Sequence, residues 1–419
     1  MVRKLLLAAT SVMLVAMSSF AQFYPENARI NALGGSFIVD DPSDILRYSA
    51  YMNEYTDDVQ LSFNGVNGSP IFGVKSFNDV FNLGLILNQR LMVNNPAGTN
   101  FYDTSATFLR TLDNQMAGIV KTQSFPHVLL GFNLKPVKLG FDLFYEYSHF
   151  RKSIEDDPST GTRTDEEVKG DVNNLGFIAS VASTNEKFPI AIKFGLGWPR
   201  ASGSQEVTTA NSVTREVKSK GGLFMNGGAE LGFTTSALKW TAGLDYIHNH
   251  FQFQNAAGVE SNNFFFNNFA AYIGFNADID ASSFVTVLYD FQLRNNGQGP
   301  DKEAYAENAR TYSTNMISNI LSAGYENTWT NAWVFDKFVL RTGLNYVIST
   351  TIDHVKGDGE GGSYSSRVKH ETVYNQVQPK IGLGIVKKAF SLDLTVDPAR
   401  WAGLISGPQV AIVTATLNF

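Results

Sequence analysis

From Leu139 to Ser148 the chain alternates without a break. Leu139, Phe141, Leu143, Tyr145 and Tyr147 fall on one face of a strand, and Gly140, Asp142, Phe144, Glu146 and Ser148 on the other. A preceding strand, about His127 to Leu134, is joined to it through Lys135 and Pro136, a connection short enough to demand antiparallel pairing. After Phe150 about twenty polar and charged residues follow, RKSIEDDPSTGTRTDEEVKG, which read as a long loop. A tight turn at one end of a hairpin and a long polar loop at the other is the asymmetry of outer-membrane barrels.

The unit recurs along the chain. Leu175, Phe177, Ala179 and Val181 turn through Thr184 to Lys187 into Ile190, Ile192, Phe194, Leu196 and Trp198, with Lys193 on the opposite face. Met225 to Phe233 turns at Thr234 to Ala237 into Leu238 to Tyr246, and Phe269 to Phe275 turns through Asp278 to Ser283 into Val285 to Leu293. On the last of these strands the other face carries Asp290 and Arg294. Ile317 to Tyr325 pairs with Phe338 to Ile348, whose other face carries Arg341, and Val377 to Ile385 turns at Lys387-Lys388 into Phe390 to Val396. Phe338 and Tyr346 stand eight residues apart, about 20 Å of membrane depth for a tilted strand, which suits the apolar band between aromatic girdles. A soluble β-sandwich would need shorter strands and no polar face on every one. The final strand, Gln409 to Phe419, puts Phe419 at the periplasmic rim, where it resembles the terminal signal read by barrel-assembly machinery.

Composition agrees with one large envelope domain. Only 17% of the 419 residues are charged, cysteine is absent and no composition break marks a linker. The net charge of -6 is spread out, so no basic footprint points to nucleic acid. Beyond the N-terminus no run of about eighteen apolar residues suggests a membrane helix. Arg3 and Lys4, the apolar core from Leu5 to Met17 and small Ser19 and Ala21 read as a signal peptide over 1–21, with export to the bacterial outer membrane and a mature chain from Gln22. The lipids of that membrane are then a partner of the barrel.

Residues 22–57 lack sustained alternation and are punctuated by Gly34-Gly35 and Asp40-Asp41-Pro42. They precede the first strand signal, Val59 to Phe63, and are long enough to fold into a barrel lumen as a plug, leaving 58–419 as the barrel. Arg29, Ala32-Leu33-Gly34-Gly35, Asp40-Asp41 with Ser43, then Tyr48 and Ala50 run in an order that resembles the N-terminal hatch of the FadL/OmpP1 family of outer-membrane channels. Where that pattern carries Asn-Pro-Ala, this chain has Tyr48-Ser49-Ala50. The resemblance implies an all-β transmembrane antiparallel barrel of about fourteen strands, with sixteen as the alternative, a hatch in the lumen and uptake of small hydrophobic molecules. Arg29, Gly34, Gly35, Asp40, Asp41 and Arg47 would belong to the plug. Asp142, Glu146, Lys193, Asp290, Arg294 and Arg341 would face the lumen, where Asp40, Asp41 and Arg47 could pair with Lys193, Arg294 and Arg341.

Further strand candidates are Ile71 to Lys75 and Phe81 to Leu87, and Met92 to Gln123 reads as a long loop with a short helix near 105–112. Catalytic signals are weak: there is no G-x-S-x-G, no H-E-x-x-H and no Walker A motif. His248 and His250 share a strand face but follow the lipid-facing register, which argues against a metal site. Asp142 and Glu146 read as solvated lumen carboxylates rather than a catalytic pair, and Asp353 to Ser363 as a loop without calcium-loop spacing. No cofactor is expected. A channel for small hydrophobic molecules is the leading reading, a barrel anchoring secretion or cell-surface assembly is the alternative, and a barrel enzyme is disfavoured by the missing Ser-His-acid arrangement.

Overall fold

The computed structural model of the chain describes residues 27–64, 68–87, 123–124, 126–155, 165–208, 213–236, 238–255, 260–300, 310–357, 368–398 and 411–419. Its strands are β1 Asp58–Asn64, β2 Gly68–Ser76, β3 Phe81–Leu87, β4 Gln123–Ser124, β5 His127–Asn133, β6 Val137–Glu155, β7 Asp165–Ser183, β8 Ile190–Thr208 and β9 Val213–Thr234. They continue as β10 Leu238–Asn255, β11 Glu260–Asp280, β12 Ser283–Pro300, β13 Arg310–Thr330, β14 Lys337–Gly357, β15 Val368–Lys387, β16 Phe390–Val396 and β17 Ala411–Asn418. Each pairs antiparallel with its neighbour in sequence, except that β3 pairs with β5 and β4 with β6, and β1 pairs with β17 from Asp58 against Asn418 to Asn64 against Ile412. That last ladder closes the sheet into a barrel.

β4 and β5 both pair with β6 and are successive pieces of one stave, so among the described residues the barrel has sixteen staves, the second of the two expected counts. Two stretches read as loop are strand. The polar run after Phe150 leaves only 156–164 between β6 and β7, and β14 continues through Asp353 to Gly357. Length gives the reason. Nineteen residues of β6 span roughly 63 Å at about 3.3 Å each, far more than a tilted strand needs to cross an apolar band of about 25 Å. The outer part of each long strand therefore stands in water, where the apolar face is no longer required. The expected helix near 105–112 and the signal peptide lie outside the described residues.

Inside the membrane zone the alternation holds on every long stave. Leu143, Leu175, Ile192, Phe194, Leu244, Ile273, Tyr289, Leu321, Leu344 and Leu383 are exposed on the outside, while Asp142, Lys193, Asp245, Asp290, Arg294 and Arg341 are buried inside. An outer surface so continuously apolar is a lipid-facing one, because in water it would associate. Phe188 with Phe233, Trp240 with Phe275 and Trp329 with Phe338 form ring pairs near the short-turn end, as an aromatic girdle requires.

Residues 27–57 lie within the barrel and fold by local rules. Helix α1, Ala28–Ala32, is capped by Asn27, whose side chain accepts from the Ile30 N–H at 2.8 Å. Gly34 and Gly35 then reverse the chain at φ values of 72° and 84° that other residues rarely adopt. A 3-10 turn, Pro42–Leu46, starts from a capping box: Asp41 accepts from the Ser43 N–H at 2.9 Å, and Asp44 accepts from the Asp41 N–H at 3.2 Å. A second, Ser49–Asn53, leads to β1.

Glycines of the wall let this segment approach backbone to backbone. A Cβ at Gly343 would stand 2.2 Å from the Gly34 nitrogen, and one at Gly140 would stand 2.2 Å from the Ala50 nitrogen. Around the circumference, the Ala28 N–H donates to Thr414 at 2.9 Å and the Ala50 N–H to Ser180 at 2.7 Å. Asn276 donates to the Ile38 carbonyl at 2.8 Å.

Candidate functional site

The lumen holds two distinct environments. Nearer the short turns, the N-terminal segment and the wall share a dense ionic network. Arg47 lies 2.5 Å from Glu230 on β9, donates to the Tyr272 hydroxyl at 2.7 Å and to the Phe37 carbonyl at 3.3 Å, and stands 3.5 Å from Asp44. Its guanidinium also lies over the Phe37 ring at 4.7 Å. Burial on its own would lower the Arg47 pKa, but the Tyr272 oxygen, Glu230 and Asp44 outweigh it and hold the group protonated above its ordinary value. Asp44 is pushed well above the usual carboxylate range, first by burial, with Arg47 opposing.

A second knot joins the segment to three staves. Glu326 on β13 accepts from Arg29 at 3.0 Å and from Arg341 on β14 at 2.6 Å, and Arg341 reaches Asp393 on β16 at 2.5 Å. Asp41 is 3.9 Å from Arg29 and accepts from Asn27 at 2.6 Å, while Asp40 pairs with Lys239. Arg29, Asp41 and Arg341 are thus brought together, whereas Lys193 is occupied by Asp245 at 2.6 Å and Asp290 accepts from Gln292 at 2.6 Å. Asp40, Asp41 and Arg47 are expected to meet Lys193, Arg294 and Arg341; the ion pairs they form among the described residues are with other groups. Asp40 meets Lys239, Asp41 meets Arg29 of its own segment and Arg47 meets Glu230, while Arg29 takes Glu326. Glu230, Glu326 and Lys239 each stand on an inward register that the alternation around them marks.

Farther from the turns the inward face carries an apolar cluster among its polar groups. Phe144, Ile178, Phe224, Ile247 and Phe266 form one buried cluster, with Phe144 and Phe224 edge to face at 5.7 Å. His127 packs its ring 5.5 Å from Phe144 and holds its Nδ1 3.0 Å from Asp142. Asp142 is therefore a buried, partnered carboxylate and not the solvated one expected. The Arg294 guanidinium lies over Phe266 at 5.5 Å. Glu146 sits on β6 two residues beyond Phe144, and its side chain lies outside the described residues. The aromatic patch was visible in sequence only as phenylalanines on the face opposite the lipid register.

His248 and His250 stack at 6.3 Å, and His248 meets the Asn267 side chain at 2.7 Å. Among the described residues no group of three His, Cys, Asp or Glu is placed to hold a metal.

No family model matches the chain, and no curated protein matches it. Solved structures do. The Pseudomonas putida toluene transporter TodX is similar at a TM-score of 0.42 and 10% identity, over 94% of this chain and 98% of that one. The Ralstonia pickettii toluene transporter TbuX is similar at 0.41 and 11%, over 95% and 99%. The monoaromatic hydrocarbon channel CymD is similar at 0.35 and 10%, over 94% and 97%.

Proposed function

We propose that the chain is an outer-membrane channel through which small hydrophobic molecules cross, with residues 22–57 as a hatch that closes the barrel to ions. The observation that carries this reading is the inward cluster of Phe144, Ile178, Phe224, Ile247 and Phe266. A barrel that conducts water and ions has a polar lumen. Here aromatic and aliphatic side chains are turned inward at membrane depth, where they would stabilise an apolar solute after it leaves water or lipid. The hatch supports the reading from the other side. A wall of sixteen staves is too wide for its own side chains to fill, and the N-terminal segment occupies the space with contacts to staves all around it. Arg29, Gly34, Gly35, Asp40, Asp41 and Arg47 hold the hatch in place through the glycine approaches and the two ionic knots.

The test is uptake by intact cells. A bacterium deprived of its own hydrophobic channels is given the full-length gene, and entry of radiolabelled toluene is timed with the outer membrane intact and after permeabilisation. Entry several-fold faster than in empty-vector cells, with the difference abolished by permeabilisation, supports the reading. Equal rates with and without the protein refute it.

A further inference from the structure

The apolar cluster is interleaved with amides. On β10, Ile247 is paired across to Asn226 of β9 and to Asn268 of β11, and Asn249, two residues on, is paired to Phe224 and Phe266. Three asparagines and three apolar side chains thus alternate over two successive inward rungs of three adjoining staves, the staves about 4.8 Å apart. The asparagines are 6%, 4% and 1% exposed in chain order. Asn268 has neither its amide nitrogen nor its oxygen partnered, and the oxygens of Asn226 and Asn249 are also without a partner. A buried amide without hydrogen bonds destabilises the fold, and an aliphatic side chain of similar size would not. Elsewhere at this depth inward polar groups do satisfy one another, as Ser318 with Ser349 and Gln292 with Asp290.

We infer that Asn226, Asn249 and Asn268, with Phe144, Phe224 and Phe266, form a binding site for an uncharged amphiphile: an aromatic or alkyl body bearing a hydroxyl or carbonyl group. The rings take the body, and the amides supply both a donor and an acceptor to the polar group. Charge argues against an anion. Lys193 is paired with Asp245, Arg294 is matched in number by Asp290 on the same strand, and Asp142 adds a further acid beside His127, so this zone has no excess of positive charge. The assignment rests on the channel reading above and narrows its substrate class.

The experiment uses the full chain in lipid nanodiscs and equilibrium dialysis at neutral pH, with empty nanodiscs subtracted. Radiolabelled 4-cresol, toluene and benzoate are the three probes. Cresol should bind about tenfold or more tighter than toluene, and benzoate most weakly, because a site built to bond a hydroxyl rejects the analogue without one. Asn268→Leu, which removes an unpartnered amide and should leave a heat-modifiable barrel, should erase the cresol preference by weakening cresol while toluene is held or gained. Equal binding of cresol and toluene to the unaltered protein overturns the inference, as does a preference that survives Asn268→Leu. Benzoate binding tighter than cresol would make this an anion site, and no saturable binding of any probe would make the amides a water site. Because binding is read apart from transport, a cresol preference in a protein that fails the cellular uptake test would sink the channel reading and leave the site standing.

Discussion

Arg47 Nη2 stands 2.5 Å from Glu230 Oε2, across the boundary between the N-terminal segment and the barrel wall. Arg47 is buried and Glu230 half-buried, and Glu230 also accepts from Tyr51 at 3.0 Å and Tyr272 at 2.9 Å. A buried charge that loses its partner costs about 3 to 5 kcal/mol. Glu230→Ala should therefore release the segment while the wall, held by its own ladders, stays closed. The check is trypsin on the folded protein, with cuts after Arg29 and Arg47 appearing in the variant and not in the parent. Unchanged protection would mean that the Arg29–Glu326 knot and the remaining wall contacts hold the segment without Glu230.

The lipid face makes a second prediction. Leu143 is 45% exposed on the outside of β6, so Leu143→Arg should destabilise the barrel by about 2 to 4 kcal/mol if it lies near the midplane. Asp142, next in the chain, is no neutral control, since it is buried against His127. Gln376, inward on β15 and hydrogen-bonded to Gln378 at 2.9 Å, is the better comparison. Gln376→Arg should cost much less in urea unfolding from bilayers, and equal costs would reverse the face assignment.

Topology can be read with thiols, because the chain has no cysteine of its own. Glu186 and Ala281 lie in short turns at the end where β1 begins and β17 ends. Glu186→Cys and Ala281→Cys should resist a membrane-impermeant maleimide on intact cells, whereas Glu155→Cys, at the other end of β6, should label. Strong labelling of the first two turns the barrel over.

At the same end, Asp336 ties the turn before β14 to the turn before β16. Its carboxylate accepts from the Lys388 N–H at 2.6 Å and faces the Lys387 ammonium at 3.3 Å. The backbone bond first, and then the lysine, hold its pKa below the ordinary 3.8. The folded turn thus binds this proton less tightly than an unfolded one. The contribution is complete above about pH 4 and is lost as pH falls through the depressed value. The Lys388 amide resonance should follow that titration, with a midpoint below 3.8, and should lose it in Asp336→Asn. A midpoint at or above 3.8 would mean the contact does not form.

The wall was legible where physics leaves one choice. A strand crossing lipid must alternate, so Leu143 and Asp142 declare their faces without any partner in view. Beyond the membrane the constraint lapses, and Lys152 to Glu155, strand in fact, carries no period that distinguishes it from loop. The plug's partners were hidden for another reason. Arg47 and Glu230 are 183 residues apart, and alternation fixes which way Glu230 points but not which segment it meets. Phe144 shows the limit within a single strand: its register placed it inside, and only the neighbouring staves, bringing Phe224 and Ile178 beside it, make it part of an apolar surface.

The hatch itself gives the most direct test. If residues 27–48 close the lumen, their removal should leave a barrel whose sixteen staves still pair, since β1 starts at Asp58 and closes on β17 without them. Such a barrel keeps its heat-modifiable migration on gels. It loses α1, the first 3-10 turn and both ionic knots, and wall groups including Glu230, Glu326, Arg341 and Tyr272 then face water. A polar, open lumen of that width conducts ions. In planar bilayers the deletion should show steady channel conductance, and the intact protein little. Arg29→Ala, which leaves Glu326 with Arg341 and removes only one tie, should fall between them, as brief openings rather than a fixed pore. Large steady conductance in the intact protein would end the hatch reading and make a general porin the better one. A deletion that stays closed would mean that something other than residues 27–48 fills the barrel.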